Sequence, residues 1–480
     1  MRPLTRFYMR RLASLLGPLS AGVHLVTLFS GDLPAVLAPF RATRHGAEAG
    51  QNKAHQDEGF TLYALPYRPL LLVHGATQAQ MLMANPAAGL SPAAELNALL
   101  APLTAQAGAE PGTLNPAQPA DSLLSQAFAQ MEAPRLLTTA QKLTEQTIQD
   151  WLARKAAPAP VGADLFRLAL DLISTGLLDA RFTPQEGQHF AGLVTRYLQQ
   201  ANPLPLLLAR PGDASRMRLI KAMGLAPLAR QMRQMVAARF LPALNDPAAA
   251  NPPLPHLVAK ANLTEDRAVD LLTSALVSGM ESIGAPLCWL AYELARDQMM
   301  QEGAALALGS GPALDGAPDH RFEDHNAATT LDALTQETLR LYPAPALLAW
   351  QVQSPVTLGS HSLPPGALVA ICPRLLLQAG PAGAAHTRFM PERWLRPPNE
   401  APRPVPLVMA GADLHVRLMR HIAAQILGST RLVLAGGPEP AALARLSNRP
   451  SPAIVLRILP RPALPPAQPL PAAKDPALTA

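Results

Sequence analysis

The chain has 480 residues, 49% of them hydrophobic and 15% charged, which describes a folded globular protein able to bury a large core, even though its 52 prolines are about twice average usage. Its formal charge of +6 suits an acidic protein partner or an anionic surface, but no dense Lys/Arg run with interleaved aromatics occurs, so nucleic acid is not an expected partner. The two cysteines, Cys288 and Cys372, each stand alone in an apolar run; a disulfide framework and a cysteine-rich metal site are excluded, and a reducing cytoplasm is the expected location.

Residues 1–30 begin with the basic stretch MRPLTRFYMRRL and continue into a mostly apolar run from Leu12 to Phe29. A signal or membrane anchor is one reading. His24, Gly17, Pro18 and the lack of a clear small-residue cleavage site favour the other, a leading helix packed on the body. The body is expected over 31–460, followed by a Pro-rich disordered tail at 461–480. Within it, breaks fall at Pro-rich joints: 105–119, 156–162, 246–255, 309–319 and 396–406. Between the joints the apolar period is mostly helical. The exceptions are GFTLYALPYRPLLLVHG from Gly59, which reads as two strands around a turn, AWQVQSPVTLGSHSLPPGALVAI from Ala349, which reads as short strands, and the terminal candidate PAIVLRILPR. The fold class expected is mainly α with small β-sheets.

The longest helix is predicted from Asn262 to about Met300, with Thr264 as N-cap and Glu265 and Asp266 in its first turn. Its middle, SGMESIGAP, carries Gly279, Gly284 and Pro286. Pro286 removes the donor that the Ser282 carbonyl would have met, which predicts a local opening or kink near Glu281 and Ser282. A second helix is predicted over Asp332–Tyr342, stopping at Pro343, and places Glu337 and Arg340 three apart on one face. Exposed, that pair would be worth roughly 0.2–0.5 kcal/mol; buried with a third partner it would be structural.

The string ETLRLYP from Glu337 to Pro343, followed by FMPERWL from Phe389, resembles the cytochrome P-450 (haem-thiolate monooxygenase) family. The resemblance implies the cytochrome P-450 fold over roughly residues 30 to 460 and a buried triad of Glu337, Arg340 and Arg393. SGMESIGAP is similar to the family's oxygen-binding helix, with Ser278, Gly279, Glu281 and Ser282 on its motif positions. Glu281 and Ser282 are thereby the candidate catalytic residues if haem is bound.

The family's axial cysteine has no counterpart in VMAGADLHVRLMRHIAAQI, Val408 to Ile426. Matching Arg420, His421 and Ala423 to the start of the helix that follows the ligand loop puts Arg417 in the cysteine slot. Gly411 and Asp413 then fill the two earlier glycine positions, His415 the arginine position and Met419 the last glycine. A guanidinium has no lone pair for a metal. The place of one propionate arginine is taken by Trp350, followed by Gln351, and the early helix region PADSLLSQAFAQMEAP has no basic residue. The expectation is a member that binds neither haem nor metal and serves as a non-catalytic binding or auxiliary protein. Its partner would be an acidic ferredoxin or a pathway enzyme meeting an Arg/His-rich face at 415–421, and a small hydrophobic ligand could also be held. In the alternative, the loop shifts by two residues and His415 ligates haem b in a monooxygenase acting on a small hydrophobic substrate.

Overall fold

The computed structural model describes residues 59–65, 67–84, 89–103, 123–131, 133–244, 253–309, 325–376, 388–395 and 412–461. The leader at 1–30, the tail beyond Arg461, Gly411 and most of the Pro-rich joints lie outside them. In chain order the described elements begin with β1 (Phe60–Ala64), β2 (Pro69–Val73), α1 (Ala76–Ala84), β3 (Leu90–Pro92), α2 (Ala94–Leu100) and α3 (Leu123–Ala129). Next come α4 (Ala133–Ala153), β4 (Ala159–Pro160), α5 (Gly162–Leu178), α6 (Pro184–Gln200), α7 (Leu204–Leu208), α8 (Asp213–Met223), α9 (Leu225–Leu244) and α10 (Pro253–Lys260). The long α11 (Glu265–Arg296) leads to α12 (Gln298–Gly309), α13 (His325–Leu341), β5 (Leu348–Val352), β6 (Val356–Leu358), β7 (His361–Leu363), β8 (Leu368–Ile371), α14 (Pro373–Leu376) and α15 (Glu392–Leu395). The chain closes with α16 (Ala412–Ser429), β9 (Thr430–Leu434), β10 (Ala441–Ala444), β11 (Asn448–Ser451) and β12 (Val455–Pro460).

The largest sheet has the order β1-β2-β8-β5-β3, and smaller ones are formed by β4-β12-β9, β10-β11 and β6-β7. β1 and β2 form the antiparallel hairpin expected from the Gly59–Gly75 stretch, and β2 then pairs in parallel with β8, bringing residues 70–73 beside 368–371. This sheet has its own apolar cluster, including Leu71, Val73, Leu348, Trp350, Val352 and Val369, beside the main helical core.

α11 runs through the centre of that core. Among the described residues it is the one helix long and apolar enough to cross a membrane, but 89% of its most apolar window is buried, which marks it as a core helix. Thr264 caps it, accepting a hydrogen bond from the Arg267 amide, and it ends at Arg296 rather than near Met300. The segment stays helical through Pro286, although Pro286 leaves the Ser282 carbonyl without its helical donor, and the Ser282 hydroxyl donates back to the Gly279 carbonyl at 3.0 Å. α5 packs along α11. A Cβ on Gly279 would fall 2.7 Å from Ile173, and one on Gly284 would fall 2.4 Å from Phe166. Gly279 and Gly284 let α5 and α11 approach closely.

Two further boundaries differ from expectation. α13 starts seven residues earlier, at His325 rather than Asp332, and ends at Leu341 before Pro343. The stretch expected as a ligand loop is helical from Ala412, so Arg417 sits in the second turn of α16. Asp413 and Met419 replace the loop glycines of the resemblance, and residues with better helix propensity let the helix begin early. Leu414, Leu418, Met419 and Ile422 then fall on one face and are buried.

Gly284→Leu should lower the melting temperature by an amount equivalent to about 1–3 kcal/mol, since the added side chain meets Phe166 in a filled interface. Thermal unfolding followed by circular dichroism checks this; an unchanged midpoint would mean that α5 and α11 are not in close contact.

Candidate functional site

Glu337 projects from α13 into a site where it is fully buried, and its carboxylate is saturated. Arg340 donates from Nε and Nη2 at 2.7 Å each, and Arg393 donates from Nε at 3.1 Å. Trp394 Nε1 and the Met390 amide add hydrogen bonds at 2.9 and 2.8 Å. The structure thus brings Glu337, Arg340 and Arg393 together, and it adds two donors that sequence reasoning missed. The only signal for them was the adjacency of Trp394 to Arg393 on the short α15.

Glu281, on α11, is also fully buried, and it faces the C-terminal strand region. The Ser447 hydroxyl donates to Oε2 at 2.6 Å; Arg449 donates from Nε to both oxygens at 2.9 and 2.8 Å and contacts Oε1 again through Nη2. Arg449 Nη1 reaches the Thr195 hydroxyl of α6 at 2.6 Å, and the guanidinium lies 3.8 Å from the centre of the Phe166 ring. Glu281 and Ser282 are therefore not brought onto a common point, since Ser282 is bonded to its own helix. Arg449 lies 168 residues from Glu281, a separation at which no local pattern could announce the pair. The next residue extends the contact: Asn448 Nδ2 donates to the Pro343 carbonyl at 2.7 Å, and the Asn448 carbonyl accepts from Trp289 Nε1 at 2.6 Å. Trp289 stacks on Tyr342 with 4.1 Å between centroids, and the Tyr342 hydroxyl donates to Glu293 at 2.6 Å.

On α16, Arg417 is exposed to solvent, whereas Leu418 and Met419 beside it are fully buried. Arg420 pairs with Asp332 at 3.0 Å, and His421 bonds to Gln425 at 2.8 Å. His415 is half-buried and turned inward; its ring meets Phe128 edge-on at 5.8 Å, and its Nε2 is sealed from solvent without a hydrogen-bond partner among the described residues. Burial pushes the His415 pKa down to about 4 and lowers that of His421. The His415 imidazole is thus neutral near pH 7, and Arg417 is the exposed cation of the 415–421 stretch. Trp350 is 2% exposed and belongs to the apolar cluster of the large sheet. Among the described residues no group of three or more His, Cys, Asp or Glu side chains could hold a metal.

A cleft of about 1380 Å³ opens between α4, α5, α6 and the β11 segment, with Arg449, Ser447 and Cys288 at its inner wall. Burial pushes the Cys288 thiol up to about 12, so it is inert as a nucleophile near pH 7.

Helices around a five-stranded sheet, joined at a buried Glu-x-x-Arg pair that collects a second arginine from a downstream segment, define the cytochrome P450 fold. The family model "Cytochrome P450" matches residues 122–406, more than half of the chain, and the chain belongs to that family. The fold is shared with the crystal structure of a cytochrome P450 (CYP102L1) at a TM-score of 0.65 and 18% identity, covering 85% of this chain and 96% of that one. It is shared also with CYP175A1 from Thermus thermophillus at 0.56 and 20%, covering 85% and 93%. Lanosterol 14-alpha demethylase of Macaca fascicularis is 25% identical over 153 residues, 32% of this chain and 30% of the relative. The cytochrome P450 BJ-4 homolog of Sinorhizobium fredii is 29% identical over 163 residues, 33% of this chain and 35% of the relative. The matched part spans about a third of the length of these curated relatives.

Removing either buried carboxylate leaves a guanidinium stranded in the interior. Glu337→Ala and Glu281→Ala should each cost about 3–5 kcal/mol, read as a large fall in melting temperature or as insoluble protein; an unaffected midpoint would show that the carboxylate is solvated. His415 gives a pH dependence. It is neutral in the fold down to about pH 4, whereas in the unfolded chain it gains a proton below about pH 6.5. The unfolded chain binds more protons in that window, so stability is complete above it and declines as the pH falls through it. Urea titrations between pH 7 and pH 4 should show a shallower decline in His415→Leu than in wild type; parallel curves would place the titration elsewhere.

Proposed function

We propose that this member of the cytochrome P450 family has lost haem-thiolate chemistry and works as a non-catalytic binding or auxiliary protein. The observation that carries the reading is the course of α16: the residue in the cysteine slot, Arg417, points to solvent from a helix, and Leu418 and Met419 fill the interior beside it. A guanidinium cannot ligate iron. Trp350, in the propionate-arginine slot, is packed into the sheet cluster instead of offering a cation. Glu281, the candidate proton relay, is already saturated by Arg449 and Ser447. These residues do not fit a haem-thiolate site, and no reaction step is assigned to them.

One observation favours a second reading, a haem-dependent monooxygenase with His415 as axial ligand. The imidazole is neutral, turned inward, and has an unpartnered Nε2, the state in which it ligates iron.

The two readings separate in an absorbance spectrum. The purified protein should be colourless, with no Soret band and no carbon monoxide difference spectrum, before and after incubation with haem. Stoichiometric haem that survives gel filtration and is lost in His415→Ala would overturn the first reading and establish the second. Arg417→Cys alone should not bring haem binding in a titration, and adding His415→Arg and Trp350→Arg should improve uptake more than the cysteine does. Tight binding by the single variant would show an intact pocket that had lost only its ligand.

A further inference from the structure

The cleft between α4, α5, α6 and β11 has no role in the reading above, yet its chemistry is selective. Six arginines and four aspartates line it. Three of the aspartates already hold a guanidinium: Asp164 pairs with Arg154 at 2.8 Å, Asp171 with Arg167 at 2.9 Å, and Asp179 with Arg135. Trp151 Nε1 donates to Asp164 as well, at 2.8 Å. On the cationic side the account is different. Arg181 and Arg239 are both exposed; Arg239 Nε donates to the Arg181 carbonyl at 2.7 Å, and the two guanidiniums lie within electrostatic reach of Asp171 and of the exposed Glu186 respectively. The lining therefore carries two more arginines than aspartates, the fourth aspartate being Asp150, and low-dielectric walls concentrate the field of such an excess.

The apolar lining residues Phe166, Phe182, Leu198 and Ile454 are themselves buried, Phe166 beneath the Arg449 guanidinium. Exposed Gln146, Gln188 and Gln199 are spread along the walls, where they can meet backbone amides and carbonyls. The volume, about 1380 Å³, is larger than the 300–1,000 Å³ usual for small-molecule pockets. Polar groups distributed along a groove, rather than converging on one point, suit a chain more than a compact ligand.

We propose that this cleft is a docking site for an extended acidic segment of a partner protein, its carboxylates meeting the exposed Arg181 and Arg239. The inference deepens the partner-binding reading and rests on it. The cleft also gives that partner a place other than the 415–421 stretch, whose His415 is neutral and whose Arg420 is paired.

The test is fluorescence anisotropy of the full chain with a fluorescein-labelled peptide of alternating Glu and Leu, about ten residues long, a length that spans roughly 33 Å when extended. Saturable binding is expected, weakening as salt is raised and falling at least tenfold in Arg181→Gln/Arg239→Gln, whose exposed side chains should leave the melting temperature unchanged. The control pair Arg218→Gln/Arg230→Gln, exposed on α8 and α9 outside the cleft lining, should bind like wild type. Absence of saturable binding overturns the proposal. So does an equal loss in the control pair, which would mean diffuse attraction to a basic surface, or equal affinity for the Lys/Leu counterpart. Displacement of the peptide by laurate at lower concentration than by unlabelled peptide would also overturn it, giving the cleft to a small amphiphilic anion. The absorbance spectrum of the same sample reports on haem independently, so failure of the docking site and failure of the haem-free reading are distinguishable.

Discussion

The buried Glu337 carboxylate is the constraint on which the assembly of helix and sheet depends. A charge moved into the interior without partners is strongly disfavoured, and one with every lone pair met by a donor is tolerated. Here the donors come from α13 itself through Arg340 and from the 390–394 segment through Arg393, Trp394 and the Met390 amide. Satisfying one carboxylate therefore fixes where the chain must return after the sheet. The same arginine reaches the Arg388 carbonyl at 3.1 Å, so the crossing is held from two sides.

Glu281 obeys the same rule with different partners. Its donors, Ser447 and Arg449, tie the C-terminal strand region to α11, and Thr195 and Phe166 bring α6 and α5 into the arrangement. An acid saturated in this way has no lone pair to spare for a ligand. It holds the inner wall of the cleft in place, and the guanidinium it holds stands at the edge of that cleft. The helix position that the oxygen-helix resemblance picks out is a tertiary fastening between α11 and the C-terminal strand region.

At α16 the decisive matter is backbone freedom. A loop needs glycine where side chains would collide, and this segment carries Asp413 and Met419 at the positions that the resemblance gives to glycine. Without glycine the segment winds into a helix whose apolar face is absorbed by the core. The helix faces sort the candidate residues: Arg417 outward, His415 inward.

The sequence by itself determined the helix-rich class, the β1–β2 hairpin, the short strands after Pro343, the Thr264 cap and the family strings, because each rests on local periodicity, capping chemistry or a contiguous motif. It also determined that no cysteine lies between Val408 and Ile426. The early starts of α13 and α16 were hidden, because a helix can extend through residues of middling propensity when its neighbours bury one face. The glycines of α11 read as a weak point in sequence and proved to be a contact surface, since only the position of Ile173 and Phe166 reveals what a side chain there would strike. Trp394 on Glu337, Arg449 on Glu281 and the cleft lined from four separate parts of the chain belong to tertiary structure alone. Their partners lie between 57 and 168 residues apart, and no local rule of propensity or period links residues at that distance; the folded core brings them within hydrogen-bond reach.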